Sequence, residues 1–299
     1  MTGGEPKMPR ERVAVVEAGG DIARAVRRSV ELVGGLDLSE GDRVVVKPNI
    51  CNSKNPYGMV LTDFRILEEV LRMLQEKAGS IVVVESDNIA GPADRRAEET
   101  GLLELLGGLG VEFINLSEDE HEVHEVAGKK LRLPRTVLDA DYLVNLPKLK
   151  TCGHTLVTLS IKNLFGVIQR AKKNKLHRKL DEILPYLAKA VGSDLIVLDG
   201  LTAMEGNGPV IGTPREVGVV VAGKKLVSVD SICSRLMGFD PSEIGHIAGA
   251  HALGLGEIGL EWIDVLGDGW ERFRGDFERP YSLKASLKSI KSIRKVYLP

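Results

Sequence analysis

The sequence predicts an α/β fold with mainly parallel sheets, flanking helices and two hairpins, arranged as two lobes with a cleft. Three observations lead to it. Short β-branched runs recur along the 299 residues, each followed by a turn signal or a helical pattern, and strands alternating with helices favour a parallel sheet. Between two of these runs, Asp63–Lys77 places Phe64, Leu67, Val70, Leu71 and Leu74 at helical spacing, which completes a βαβ unit. Glu122–Leu133 and Val217–Val227 alternate apolar and polar residues around Gly128-Lys129 and Gly223-Lys224, the pattern of two hairpins.

In order, strands are expected at Val13–Val16, Val44–Val46, Ile81–Val84, Val111–Ile114, Tyr142–Leu146, Leu195–Leu198, Val217–Val221 and Trp262–Leu266. Thr155–Ile168 reads as a helix. Pro134 interrupts the pattern ahead of the Tyr142 strand, so the lobes are drawn as 1–135 and 136–281. The remaining 282–299 is a basic amphipathic helix. Leu283, Leu287, Ile290, Ile293 and Tyr297 fall on one stripe, and Lys284, Lys288, Lys291, Arg294 and Lys295 fall off it. Such a stripe is expected to pack on its own domain and leave the basic face in water; acidic partners, RNA or anionic lipid are the alternatives.

Lys+Arg 40 against Asp+Glu 42 leaves a net charge of −2. No broad basic field exists of the kind that drives nonspecific nucleic-acid binding, so any anion site must be local. Cys51, Cys152 and Cys233 form no CxxC pair and leave at least one thiol unpaired; a reducing compartment fits. The opening MTGGEPKMPRERVAVVEAGG has proline and charge where a signal peptide needs an apolar run. No window approaches the roughly 20 apolar residues of a membrane span. A cytoplasmic protein is expected.

The Tyr142 strand runs into Pro147-Lys148-Leu149-Lys150-Thr151-Cys152-Gly153-His154. In open α/β sheets ligands bind beyond the carboxyl ends of strands, so Lys148, Lys150, Thr151 and His154 are expected on a loop at a site. With Thr155–Ile168 helical, His154, Thr158 and Lys162 would follow at i, i+4 and i+8 on one face. Lys162 supplies a point charge and Asn163 a donor and an acceptor, which suits an oxyanion. Gln169–Lys179 is the most basic run and reads equally as a solvated surface. Within it His177, amid lysines, has reason to stay neutral near pH 7, as a general base requires.

Asp199-Gly200 ends the Leu195 strand, and Gly206, Gly208 and Gly212 follow. Asp199 could hold a cation or a ribose, and the amides of Gly206 and Gly208 a phosphate, although GNGP matches neither a Walker loop nor GxGxxG. A plain turn explains that loop equally well. Lys47-Pro48-Asn49 follows the second strand, and Asp87 and Asn88 follow the third. Three loops should then converge on one cleft. Cys152, between Lys150 and His154, could be an activated thiol; a small packed thiol is commoner. Asp230 reads as structural, near the start of a helix.

KPN at Lys47–Asn49, PKLKTCGHT at Pro147–Thr155, IKNLFG at Ile161–Gly166, His177, Asp199-Gly200, GNGPVIG at Gly206–Gly212 and VDSICSRLMGFDP at Val229–Pro241 occur in this order. Together they resemble the domain of unknown function 362 family over roughly Val44 to Gly267. Some members of that family carry a ferredoxin-like iron–sulfur segment, whose spaced cysteines are absent here. The resemblance implies a ligand at Lys150, His154, Lys162, Asn163 and His177, which match the motif. A remoter similarity, in KPN-type loops after strands, is to the nickel-pincer lactate racemases. It implies Lys150 or Lys162 as a cofactor anchor and His154 and His177 as an acid–base pair.

These readings meet in an enzyme for a small carboxylate- or phosphate-bearing substrate, with racemase- or isomerase-like acid–base chemistry as the nearest class. His154, Lys162, His177 and Lys150 are the expected catalytic residues. Lys47, Asn49, Lys148, Thr151, Asn163, Asp199, Gly206 and Gly208 are the expected ligand-binding residues. A noncatalytic cofactor-, cluster- or partner-binding protein is the alternative, followed by an RNA-binding factor acting through 169–179 and 282–299. Metal, cofactor and homo-oligomer stay open.

Overall fold

A computed structural model describes residues 10–169 and 173–297. Its strands are β1 (Glu11–Glu17), β2 (Arg43–Pro48), β3 (Ser80–Glu85), β4 (Glu112–Asn115), β5 (His121–Val126), β6 (Lys129–Pro134), β7 (Tyr142–Leu146), β8 (Lys148–Cys152), β9 (Leu156–Thr158), β10 (Leu195–Glu205), β11 (Thr213–Gly223) and β12 (Ile263–Gly267). Ten of them form one sheet in the order β12-β1-β11-β10-β7-β2-β3-β4, with β8 beside β10 and β9 beside β8. The block β10-β7-β2-β3-β4 is parallel, and β11 runs antiparallel to both β10 and β1.

Both faces of this sheet are covered, which explains why the strands read as unbroken apolar runs. Val44, Val46 and Val144 pack with Val26 and Leu67 from the helices Ile22–Leu32 and Phe64–Gln75. On the other side Val45 and Leu143 pack with Ile183, Ile232 and Ile247 from Leu180–Val191, Leu226–Leu236 and Gly245–Ala252. Asp63 starts the Phe64 helix, its carboxylate accepting from the Arg65 amide. The β5–β6 hairpin turns through Ala127 (φ 51°) and Gly128 (φ 68°), the positive-φ pair that a two-residue loop requires.

Three expectations are corrected. Val217–Val227 is not a hairpin: β11 runs on to Gly223 and a helix starts at Leu226. The real hairpin is β10–β11, because β11 lies between β10 and β1 and needs both as partners. The second correction is to Pro147–His154, whose first part is not a loop. Lys148–Cys152 is a buried strand along β10, and Pro147, which has no N–H to give, still accepts from the Asp199 amide at 2.9 Å.

Thr155–Ile168, finally, is not one helix. β9 returns antiparallel along β8, then Ser160–Asn163 makes a single helical turn and Leu164–Val167 a tighter one. The β-branched Thr155, Val157 and Thr158 favour the strand. Asp230 fixes where the helical turn begins by accepting from the Ser160 amide (2.7 Å), the Ser160 hydroxyl (2.6 Å) and the Ile161 amide (3.0 Å).

The sheet is continuous across the 135/136 division, since β7 pairs directly with β2. The C-terminal segment is helical over Leu283–Tyr297, but it is rolled opposite to expectation. Ala285, Ser289, Ser292 and Val296 are buried, whereas Leu283, Leu287 and Ile290 are exposed. Leu298 and the side chains of Lys291 and Tyr297 lie outside the described residues. Among the described residues no helix is long and apolar enough to cross a membrane.

Candidate functional site

A cavity of about 460 Å³ opens at the carboxyl ends of β2, β3 and β8, where an open α/β sheet presents its loops. Arg96 ties the first two of those loops together from behind. Its buried guanidinium donates to the carbonyls of Ile50 (3.0 Å), Ser86 (2.8 Å) and Gly91. The expected convergence is therefore present: Lys47, Asn49, Asn88 and Lys150 all reach the cavity wall.

Among the described residues four lysines line this cavity, Lys47, Lys150, Lys162 and Lys173, against a single carboxylate, Glu85. Lys47 donates to Glu85 Oε2 at 2.8 Å and to the Pro48 carbonyl at 2.9 Å. Lys150 donates to the Val60 carbonyl at 2.7 Å, with Asn49 Oδ1 and Cys51 Sγ each at 3.3 Å. Lys173 donates to Ser86 Oγ, and burial beside other cations lowers its pKa to about 7. Lys162 is different. Its ammonium stands 4.3 Å from the Phe165 ring centroid and, among the described residues, makes no hydrogen bond or ion pair. Burial, with Lys150 and Lys47 nearby, lowers its pKa, against the pull of Cys152 and Cys51.

His154 and His177 meet at this cavity, with ring centroids 4.1 Å apart and planes tilted by 48°. His177 lines the wall and His154 stands exposed at the rim. They are brought together by the β8–β9 turn and the turn Lys173–Lys179; the helical face on which His154 and Lys162 were expected to follow one another is not formed. Burial, then the neighbouring His154 and Lys162, push His177 down to about 4. His154 is raised, chiefly by hydrogen bonding to Cys152. Burial pushes the Cys152 thiol up, but His154, Lys162 and Thr155 outweigh it and bring it down to about 6. Near pH 7 this favours a Cys152 thiolate, which in turn favours the protonated form of His154, with His177 neutral beside them.

Asn163 lines the cavity but spends its amide on Asn145 Oδ1 (2.8 Å) and the Lys47 carbonyl (3.2 Å). It therefore locks the lysine strand to the Ser160 turn. Lys148 and Asp199 are brought together away from the cavity wall, paired at 2.6 Å with no exposure of either side chain. The Thr151 hydroxyl donates to the Gly206 carbonyl at 2.8 Å. At Gly208 an added Cβ would fall 1.9 Å from the Thr151 carbonyl oxygen. Thus Thr151, Gly206 and Gly208 serve strand-to-loop packing; Pro209 and Val210 from the same loop form the cavity wall.

Sequence reasoning missed Glu85, Cys51, Phe165 and Lys173 as wall residues. Glu85 had a signal, an acid ending a buried apolar strand. Lys173 had none, hidden in the basic run; being buried, it is withdrawn from any nucleic-acid surface. Within that run Lys175, Arg178 and Lys179 are exposed, while Lys172 lies outside the described residues. Asp230 is structural, as expected, and burial raises it to about 7. Of the two lysines considered as a cofactor anchor, Lys150 is engaged by backbone and side chain and, among the described residues, Lys162 is not. Among the described residues no three His, Cys, Asp or Glu side chains are placed to hold a metal ion. A metal-bearing group would have to bring donors of its own.

The profile of the family described as Domain of unknown function (DUF362) matches residues 44–235. That span holds every wall residue of the cavity. The chain is also 32% identical over 289 residues to the Thylakoid-associated protein sll1697 of Synechocystis sp. (strain ATCC 27184 / PCC 6803 / Kazusa), covering 90% of each chain. With the motifs KPN, PKLKTCGHT and IKNLFG gathered around one cavity, the chain belongs to the DUF362 family.

Proposed function

We propose that this protein is an enzyme acting on a small carboxylate- or phosphate-bearing substrate by acid–base chemistry of histidine and lysine. The observation that carries the reading is the excess of lysine over carboxylate in the cavity among the described residues, none of which engages the Lys162 ammonium by a hydrogen bond or ion pair. A desolvated ammonium attracts an anion more strongly than a hydrated one. Lys162 binds the anionic group, assisted by Lys150. His177, held neutral, accepts a proton from the substrate. His154, whose protonated form is favoured by Cys152, returns one. Proton removal and return without net oxidation is the pattern of an isomerase or racemase.

The test is a panel of small 2-hydroxy acids, amino acids and phosphate esters, screened by thermal shift and by exchange of substrate C–H for deuterium. His177→Ala is expected to cut exchange by about 10²–10⁴ while the ligand-induced shift survives. Lys162→Met is expected to weaken the ligand by about tenfold or more, roughly 1.4 kcal/mol. Ligand binding without exchange, unchanged in His177→Ala, would instead identify a noncatalytic binding protein.

A further inference from the structure

The C-terminal helix Leu283–Tyr297 wears its two faces the wrong way round for a helix that only packs on its own domain. Four small or modest side chains seat it: Ala285 (1% exposed), Ser289 (1%), Ser292 (2%) and Val296 (4%). The Ser292 hydroxyl donates to the Gly212 carbonyl, and Ala285 abuts Gly206. The aliphatic residues point outward instead, Leu283 at 80% exposure, Leu287 at 63%, Ile290 at 55% and Ile293 at 36%, with Tyr281 at 72% just before them. Leu283, Leu287 and Ile290 follow at i, i+4 and i+7 and so form one ridge.

Charge identifies what covers this ridge. From Arg279 to Pro299 the chain has six basic residues and no acidic one. Lys284, Lys288 and Lys295 fall on one flank of the ridge, and Arg294 falls within it. Two of the flanking amines also reach back to the body, Lys284 to Glu278 at 3.3 Å and Lys288 to Glu205 at 3.1 Å. Lys295 stands 3.8 Å from the Tyr57 ring centroid. These contacts hold the helix with its ridge outward. A convex aliphatic ridge bordered by long cationic side chains matches a layered surface, apolar beneath and anionic above; the lysine stems follow the apolar layer while their ammonium groups stay at the charged one.

We propose that the Leu283–Tyr297 helix docks this protein on the surface of a lipid bilayer bearing anionic headgroups, lying in the plane of the interface without crossing it. The loop Gly206–Gly212 meets the buried face of the helix and also supplies Pro209 and Val210 to the cavity wall, so the helix adjoins the candidate site with its ridge turned away from it. The proposal does not depend on the acid–base reading of that site.

The test is co-sedimentation of the full chain with vesicles of phosphatidylcholine alone and of phosphatidylcholine mixed with phosphatidylglycerol, at low and high salt. Binding is expected to the mixed vesicles, weakened by salt. Leu287→Asp/Ile290→Asp should lower it by about tenfold or more without changing the thermal midpoint, since both sites are exposed. Should that variant unfold, Leu283→Ser/Leu287→Ser provides the same comparison. Wild-type protein left in the supernatant with mixed vesicles, or equal binding by the Asp variant, overturns the proposal. Light scattering that shows a dimer converted to a monomer by Leu287→Asp, with no vesicle binding, overturns it too and assigns the ridge to a second copy of the chain.

Discussion

Lys148 and Asp199 sit 2.6 Å apart with neither side chain exposed. Asp199 also accepts from the amides of Asp63 (2.7 Å) and Leu201 (2.9 Å), so its carboxylate is fully engaged by the fold. Removing one partner of a buried pair strands the other charge and costs about 3–5 kcal/mol, whereas replacing both with apolar residues can be nearly neutral. Asp199→Asn and Lys148→Met are each expected to lower the urea midpoint strongly, and Lys148→Met/Asp199→Asn, which removes both charges and keeps an acceptor for the amides, to recover much of the loss. Normal stability in Asp199→Asn, with ligand binding lost, would return Asp199 to the site.

Cys152 is expected to alkylate as a thiolate from about pH 6 upward, whereas an unperturbed thiol titrates near 8.5. Iodoacetamide labelling read peptide by peptide in a mass spectrometer follows this. His154→Gln removes the main stabilising partner and should move the Cys152 midpoint upward. A midpoint unmoved by His154→Gln would mean that the two side chains do not interact.

His246 is fully buried, and neither ring nitrogen has a hydrogen-bond partner among the described residues. Burial, helped by Lys162, pushes it down to about 3. Because its folded pKa lies below its unfolded one, the unfolded chain binds the extra proton as pH falls below about 6.5. Its contribution is therefore present above that pH and is lost toward pH 3, by about 1.4 kcal/mol per pH unit. Asp230 has the opposite sign: raised to about 7, it favours the folded state at low pH and loses that contribution as pH rises from about 4 to 7. The two offset one another in the wild type. His246→Leu and Asp230→Asn separate them, and the stability gap to wild type should tilt in opposite directions with pH.

Gly166→Ala would bring a methyl 2.5 Å from Lys47 Cε and 2.7 Å from Glu85 Oε1. It should part the Lys47–Glu85 pair and weaken ligand binding more than it lowers the thermal midpoint. Gly208→Ala meets the Thr151 backbone at 1.9 Å, which cannot rotate away. That variant should destabilise the whole domain, by about 1–3 kcal/mol as an overpacked site does, measurable by chemical unfolding.

Strand positions were legible because a parallel sheet covered on both faces leaves dense β-branched runs, as at Val44–Val46 and Leu195–Leu198. Lys148 misled because a lysine in sequence carries no mark of a buried partner, and Asp199 is far away along the chain; Lys150 reaches the cavity, but its engagement with the Val60 carbonyl was equally unmarked. The pairing of His154 with His177 was implied by a remote resemblance and by no spacing in the chain; spacing was expected to join His154 to Lys162 along a helix. Spacing at i and i+4 says helix, and only the buried Asp230, contributed from another element, fixes the helical start at Ser160. At the C-terminal helix the apolar stripe was read correctly and its direction was not. Ala285, Ser289 and Ser292 are too small to announce a packing face, yet their smallness is what lets the helix lie close.

β1 lies between β11 and β12, with Val13 opposite Gly223 on one side and Val265 on the other. Of the twelve described strands it is the first to be made and its neighbours are the last. The block β2-β3-β4, whose pairings are nearer in sequence, can close while β1 still has no place in the sheet. Such distant pairings slow folding. A nascent chain halted before β12 would present one flank of β1 as an unpaired edge, open to the next chain on the same message.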